Sequence, residues 1–444
     1  MSALNAYLRE GRLTLSLALP IVVGQVSQML MGLLDSLMIG RVGTVPLAAA
    51  AFGGGVFNVF YVLGIGLMVP VAIFVSRARG AVAPQEAGEY LRHGLALALA
   101  AGVVETAVMA ALSTQLHRFG QPPEVLAIVR PFYLLFAVSL TPVLVYLALR
   151  QFAEAMGHPW APMFIMLGSV ALNAALNWVF IYGHLGAPAL GLMGAGVATL
   201  ISRIAAALGI FLWLRRDPAV RAAWPERWLG NWSVARWREM LQVGWPAATM
   251  LLFECTAFAF SSFMIGWLGA VPLAAHQIAI TCASLAFMFP LGLSMAAAMR
   301  LSQAVGAGER GRLRPIGFGA VWLGLGAMTA FALLFGFGGA TIAGWFVSDA
   351  AVIALAARLL VVAALFQLAD GTQVIAAGAL RAVGDVRVPT AITFVAYWAV
   401  ALPLGYLLGV RGPYGAVGIW IGIASGLALA AVFLTARFGR WTRP

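Results

Sequence analysis

The sequence predicts an all-α polytopic membrane protein in which twelve transmembrane helices form two pseudo-symmetric lobes of six. Three observations carry that prediction. Of the 444 residues, 62% are hydrophobic and 9% charged, against about 25% charged in ordinary soluble domains, so a water-facing surface cannot be assembled. Apolar runs of about twenty residues, the length that crosses a hydrocarbon core as a helix, recur twelve times. The chain also aligns with itself, without a gap, at an offset of 226 from Pro20 to Gly80.

The runs cover approximately 13–38, 46–76, 91–115, 131–155, 160–182, 189–214, 240–266, 272–301, 315–340, 351–382, 388–410 and 415–437. Gly, Pro and Arg punctuate the breaks, as at Arg77-Ala78-Arg79-Gly80 and Gly157-His158-Pro159. No small-residue cleavage site follows the first run, which therefore reads as a retained helix and not a signal peptide. The longest polar stretch, about 215–239, is too short for a folded domain. Residues 1–214 are thus expected to form an N-terminal lobe, 215–239 a cytoplasmic linker and 240–444 a C-terminal lobe.

The net charge of +12 gains its meaning from position. All 27 basic residues are arginine; without lysine there is no Walker A loop and no Schiff base. With the N-terminus inside, alternate loops place 21 arginines in the cytoplasm: Arg9, Arg12, Arg77, Arg79, Arg92, Arg150, six from Arg215 to Arg238, Arg300, Arg310, Arg312, Arg314, Arg381, Arg387, Arg437, Arg440 and Arg443. Only Arg41, Arg118, Arg130, Arg358 and Arg411 fall outside, and Arg203 lies within a span. An odd number of helices would destroy this positive-inside split. Both termini are therefore expected in the cytoplasm. The charge is topological, with attraction to anionic lipid as a by-product, and no nucleic-acid partner is implied. Cys255 and Cys282 lie inside apolar runs and read as small core residues without a redox role.

The repeat is most exact where SLMIGRVGTVPLAA at 36–49 meets SFMIGWLGAVPLAA at 262–275, with ten of fourteen positions identical. Pro20 matches Pro246, Ser76 matches Ser302 and Gly80 matches Gly306. Near an offset of 227, Ala155-Met156-Gly157 matches Ala382-Val383-Gly384 and Pro162 matches Pro389. Six spans per half leave both halves facing the same way, related by an axis along the membrane normal, with substrate expected between them. That architecture suits a carrier with alternating access. Proline removes a backbone hydrogen bond and permits a kink, so Pro20 and Pro246 are candidate hinges, with a static kink as the alternative.

A carboxylate at the bilayer centre costs roughly 2.5–3.5 kcal/mol on insertion scales. Five acids nevertheless lie within spans: Asp35, Glu105, Glu154, Glu254 and Asp370. Glu254 and Asp370 fall near the middles of the seventh and tenth spans, and Asp35 in the outer part of the first. At the level of Asp35, the fifth span carries Asn177, with Asn173 one turn away on the same face. Under the repeat Asp35 pairs with Ser261 and Glu254 with Gln28, so each half has its own polar site within a shared frame. For Glu105 and Glu154 a packing role is favoured, Glu154 being able to reach the cytoplasmic interface. Arg203 reads as a structural counter-ion and His276 as a satisfied core histidine, the alternative for His276 being titration near neutral pH. Gly191-Leu-Met-Gly194-Ala-Gly196 opens a membrane helix without a preceding strand, so close helix packing explains it better than a nucleotide loop.

Low dielectric favours the protonated carboxyl, while a bound cation favours the carboxylate. Such groups can exchange H+ against Na+ or against a cationic organic substrate. One charge moving inward gains roughly 2.3 kcal/mol per 100 mV, which supports about a fiftyfold gradient of a neutral substrate moving outward. An intramembrane enzyme would need HExxH, or a Gly-x-Ser-x-Gly elbow with His and Asp partners, and neither occurs.

These motifs together resemble the multidrug and toxic compound extrusion (MATE) family, most closely its NorM-type bacterial branch. The resemblance spans essentially the whole chain. It rests on MxxxDSLMIGRVG around Asp35, MIGWLGAVPLAAHQ from Met264, NxxxNWVFIYG from Asn173, GxGVAT from Gly194 and QLADGTQVIAAGALRAVGD from Gln367. It implies two lobes in an outward-open V in the bacterial cytoplasmic (inner) membrane, exporting amphipathic, often cationic drugs in exchange for inward Na+ or H+. It further implies a monomer, no cofactor, and small-molecule drugs and membrane lipid as partners. By position, Asp35, Asn173, Asn177 and Thr199 look like the cation site of the first lobe, and Glu254 and Asp370 like the acidic pair of the second. Na+ is expected at Glu254 and Asp370, or at Asp35 and Asn177. A rival reading, a lipid-linked precursor or natural-product flippase of the same superfamily, calls for a strongly basic central cavity, whereas the mid-membrane charges here are mostly acidic.

Overall fold

The computed structural model describes residues 3–225, 227–228, 230 and 232–443, and among them every long element is a helix. In chain order these are α1 (Ala3–Gly40), α2 (Thr44–Gly80), α3 (Pro84–Leu112, continued by a 3-10 turn Ser113–Phe119), α4 (Pro123–Ala155), α5 (Trp160–Tyr182) and α6 (Leu192–Arg216). The second half supplies α7 (Val234–Gly266), α8 (Ala270–Gly306), α9 (Arg310–Gly344), α10 (Ala350–Ala382), α11 (Arg387–Arg411) and α12 (Gly415–Trp441). All twelve are long and apolar enough to cross a membrane. Several overrun the expected spans at arginine-bearing ends: α1 takes in Arg9 and Arg12, α2 takes in Arg77 and Arg79, and α9 begins at Arg310. Hydropathy stops at the first charge, but a long arginine stem can lie along the helix with its head at the interface.

The chain divides into two compact units, Val23–Ala248 and Met1–Val22 with Thr249–Pro444. This grouping differs from lobes of 1–214 and 240–444 joined by a linker. The opening of α1 belongs with the second-half helices, the opening of α7 belongs with the first-half helices, and residues 215–239 are built into the first unit. The two unit boundaries obey the repeat: Val22 and Ala248 are equivalent at the offset of 226, and each lies two residues after a matched proline, Pro20 or Pro246.

Equivalent glycines meet the helices at those boundaries. In the first unit a Cβ on Gly66 would lie 2.1 Å from the Ala248 Cα; in the second, a Cβ on Gly292 would lie 2.5 Å from the Val22 side chain. Glycine allows the backbones to approach closely, the usual device at helix contacts within membranes. The matched Gly157 and Gly384 are explained by the backbone, with φ of 88° and 89°, where a side chain would be strained.

Each borrowed opening is tied by charge. In the second unit Glu10 accepts from Arg312 Nε at 2.9 Å and also from Arg300, whose guanidinium reaches the Thr14 hydroxyl at 2.7 Å. In the first unit α7 supplies Glu239, which accepts from the Tyr90 hydroxyl at 3.0 Å, and Arg236, 3.4 Å from Glu89.

Candidate functional site

In the first unit, the outer part of α1 brings Asp35 against α5 and α6. Asp35 Oδ1 accepts from Asn177 Nδ2 at 2.5 Å, and its Oδ2 accepts from the Thr199 hydroxyl at 3.2 Å. Asn177 Nδ2 also donates to Asn173 Oδ1 at 3.2 Å, and Asn173 Nδ2 lies 3.4 Å from the Thr199 hydroxyl oxygen. The structure thus brings these four residues together in one hydrogen-bonded ring. Asn173, Asn177 and Thr199 are buried, while Asp35 is half-buried. Asn177 Oδ1 has no partner among the described residues. An unmet buried acceptor costs about 1–3 kcal/mol, and carboxylate, amide and hydroxyl oxygens together are the donor set of a hard cation. The residues present thus fit Na+.

Arg203, one turn beyond Thr199, donates to Ser139 Oγ at 2.5 Å and lies 4.7 Å from the Phe57 ring centroid and 5.3 Å from that of Phe136. It is close enough to Asp35 for their charges to interact, in keeping with its reading as a counter-ion. Its aromatic seat has no signature in the sequence.

The second unit builds a different site. Gln373 Nε2 on α10 lies 3.4 Å from Glu254 Oε1 on α7 and 3.4 Å from the Tyr397 hydroxyl oxygen on α11, and Tyr397 in turn donates to Glu254. Asp370, one turn before Gln373, lies within charge-interaction reach of Glu254. Asp370 Oδ1 and both polar atoms of the Gln367 amide are buried without a partner among the described residues. Gln367, Asp370 and Gln373 recur every three residues, hence on one helix face. That spacing was legible, although only the acid stands out as a charge. Tyr397 was not legible: it lies in a π-helical stretch, Val395–Ala401, shortly before Pro403. Such wide turns re-aim side chains and recur at functional sites.

Two expectations need revision. Glu154 does not reach the interface: it is 2% exposed and accepts from Arg150 Nε at 2.7 Å, and Arg150, also 2% exposed, donates to Gln25 Oε1 at 2.7 Å. Arg150 is accordingly an internal ion-pair partner and not a cytoplasmic marker. Burial of one charge on α4 was stabilised by the other one turn away, as an i,i+4 pair. Glu105 is buried, and neither of its carboxyl oxygens has a partner among the described residues. His276 is satisfied: Nδ1 accepts from the Trp420 indole at 3.2 Å, while Nε2 faces Ser262 Oγ at 2.8 Å, whose own proton goes to the Phe258 carbonyl. The ring is thereby fixed as the Nε2–H tautomer. Cys255 and Cys282 are both half-buried.

A family model described as MatE matches the chain twice, over residues 20–179 and 246–407, with copies that begin at the equivalent prolines. The chain belongs to the MATE family. A probable multidrug resistance protein NorM of Mesorhizobium japonicum is 36% identical over 99% of this chain and 96% of its own length. A multidrug resistance protein NorM of Burkholderia vietnamiensis is 33% identical over 96% and 93%. Among solved structures, the Vibrio cholerae MATE transporter VcmN in its bent form superposes with a TM-score of 0.88 at 22% identity, covering 98% of this chain and 97% of that one. The eukaryotic MATE transporter AtDTX14 does so with a TM-score of 0.87 at 20% identity, covering 99% and 98%. At these identities the structures establish the fold. Membership of the MATE family makes the chain a multi-pass membrane transporter and not an enzyme.

Proposed function

We propose that this MATE protein is a multidrug antiporter that exports amphipathic, often cationic compounds in exchange for inward Na+ or H+. The observation that carries the proposal is the ring of Asp35, Asn173, Asn177 and Thr199, an all-oxygen acceptor set with a half-buried acid, three buried partners and one unmet oxygen. A cation or proton arriving at Asp35 competes with the Asn177 and Thr199 donors for the carboxylate, so occupancy changes how α1 is held against α5 and α6. Pro20, on the same helix, lets that change act on the stretch before Val23. In the second unit Glu254, Asp370 and the Gln367 amide offer negative charge and unmet polar atoms to a cationic guest. The protein works as a monomer surrounded by membrane lipid, with both termini in the cytoplasm and without a cofactor or nucleic-acid partner.

Efflux of a cationic dye from proteoliposomes, driven in turn by a Na+ gradient and a pH gradient, tests this reading. Export stimulated by either gradient, and lost when Asp35→Asn is reconstituted, is the expected result. Dye movement indifferent to both gradients in the wild type overturns it.

A further inference from the structure

The described residues of the polar connection between α6 and α7 are docked onto the helices. Asp217 Oδ1 accepts from the Ala219 amide at 2.9 Å, and the chain then makes a 3-10 turn, Arg221–Ala223. Val220 and Ala223 are buried. The turn presses on α3 so closely that a Cβ on Gly88 would fall 2.5 Å from the Ala223 carbonyl oxygen. Further along, Arg92 of α3 donates to the Arg227 carbonyl at 3.4 Å and lies 4.8 Å from the Trp232 ring centroid.

Between this docked segment and the end of α6 lies a cavity of about 640 Å³, lined by Phe211, Arg215, Arg221, Trp224, Pro225 and Trp228. Its wall is a cluster of three rings: Trp224 and Trp228 meet edge to face at 5.4 Å, and Phe211 lies 5.5 Å from one and 6.2 Å from the other. Arg215 and Arg221 are exposed, and among the described residues neither guanidinium has a carboxylate partner. Asp217, the nearest described acid in sequence, faces His158 at 3.8 Å instead. Leading up α6 towards Arg215 is a stripe of exposed apolar side chains, Ile201, Ile204, Leu208 and Leu212, spaced by three or four residues and so on one face.

Two arginines without a carboxylate partner among the described residues suit a phosphate, which their planar forks bind with paired hydrogen bonds. Tryptophans suit the boundary between headgroup and acyl chain. The apolar stripe ending at the cage decides between a free anion and a lipid, because a free anion has no use for it. We propose that this cage binds the phosphate headgroup of an anionic diacyl phospholipid of the cytoplasmic leaflet, whose acyl chains lie along the Ile201–Leu212 face of α6. The bound lipid clamps the stretch from Asp217 to Pro225, which contacts α3 through Ala223, and so steadies the approach to α7. The proposal rests on the cytoplasmic placement of this segment.

The test uses the full-length protein purified in detergent. Thermal stability and mass-resolved lipid adducts are compared with phosphatidylglycerol, phosphatidylcholine and inorganic phosphate, for the wild type and for Arg215→Gln with Arg221→Gln. Phosphatidylglycerol alone is expected to stabilise the wild type and to remain bound, with affinity roughly thirtyfold lower in the double variant. The same variant in phosphatidylcholine liposomes should retain the wild-type rate of dye export, which shows that it is folded. Equal adducts in both proteins, equal binding of phosphatidylcholine, or equal stabilisation by inorganic phosphate each overturns the lipid assignment. Orientation is checked separately by labelling Ala222→Cys with an impermeant maleimide. Labelling of inside-out but not right-side-out vesicles supports the cytoplasmic leaflet; the reverse overturns the topology, whatever the adducts show.

Discussion

In the first unit both oxygens of Asp35 are engaged, by Asn177 and Thr199, which Asn173 links to one another, whereas in the second Asp370 Oδ1 and both polar atoms of the Gln367 amide have no partner among the described residues. One duplicated frame therefore carries a polar ring with one unmet oxygen and a polar cluster with three unmet atoms among the described residues. Under the proposed function the ring is the part suited to discriminate among small ions, because its oxygens are already held by hydrogen bonds among its members. The second cluster can receive varied guests, because its unmet groups gain whatever partner arrives, each unmet buried group costing about 1–3 kcal/mol until then. Under the proposed function such specialisation would account for the repeat pairing Asp35 with Ser261 and Glu254 with Gln28 instead of reproducing the acids.

If that division of labour holds, the variant with the largest effect is Asp370→Asn. Export of a cationic dye from whole cells should fall to background while the protein remains in the membrane; undiminished efflux would remove Asp370 from transport. Next is Asn177→Leu, which deletes two donated hydrogen bonds and the unmet oxygen. Na+ or pH dependence of efflux should weaken about 10–100-fold in the half-saturating ion concentration, and an unaltered ion dependence would dissolve the contrast between the units. For Gln367→Leu the two readouts should separate: dye export falls several-fold while thermal stability holds or rises, since an unmet buried amide costs about 1–3 kcal/mol. A variant that loses stability and keeps export would make Gln367 a packing residue. Smallest is Gly66→Ala, expected to lower stability by about 1–3 kcal/mol through overpacking against Ala248, measured as a fall in melting temperature. No fall at all would mean that the Gly66 contact is looser than its geometry implies.

The twelve helices were legible because each must carry its own apolar run, and the repeat was legible because glycines such as Gly157 and Gly384 perform the same backbone task twice. The ring around Asp35 could be anticipated from Asn173 and Asn177 sharing a helix face, and Thr199 from the family resemblance. What escaped was set by contacts between distant segments. Tyr397 is aimed by an irregular helix near Pro403, and Glu154 turns inward because Arg150 accompanies it. The exchange of helix openings between the units also left no mark in hydropathy, since an apolar helix reads alike whichever neighbours it joins.

That exchange bears on how the protein is made. Residues up to Val22 leave the ribosome before residues 23–248, yet the rest of their compact unit begins only at Thr249. At roughly 5–20 residues per second, the 226 intervening residues take about 10–45 s to synthesise. Through that interval Glu10 has neither Arg300 nor Arg312 to hold it, so the opening stretch of α1 waits for those second-half residues before it can take its place.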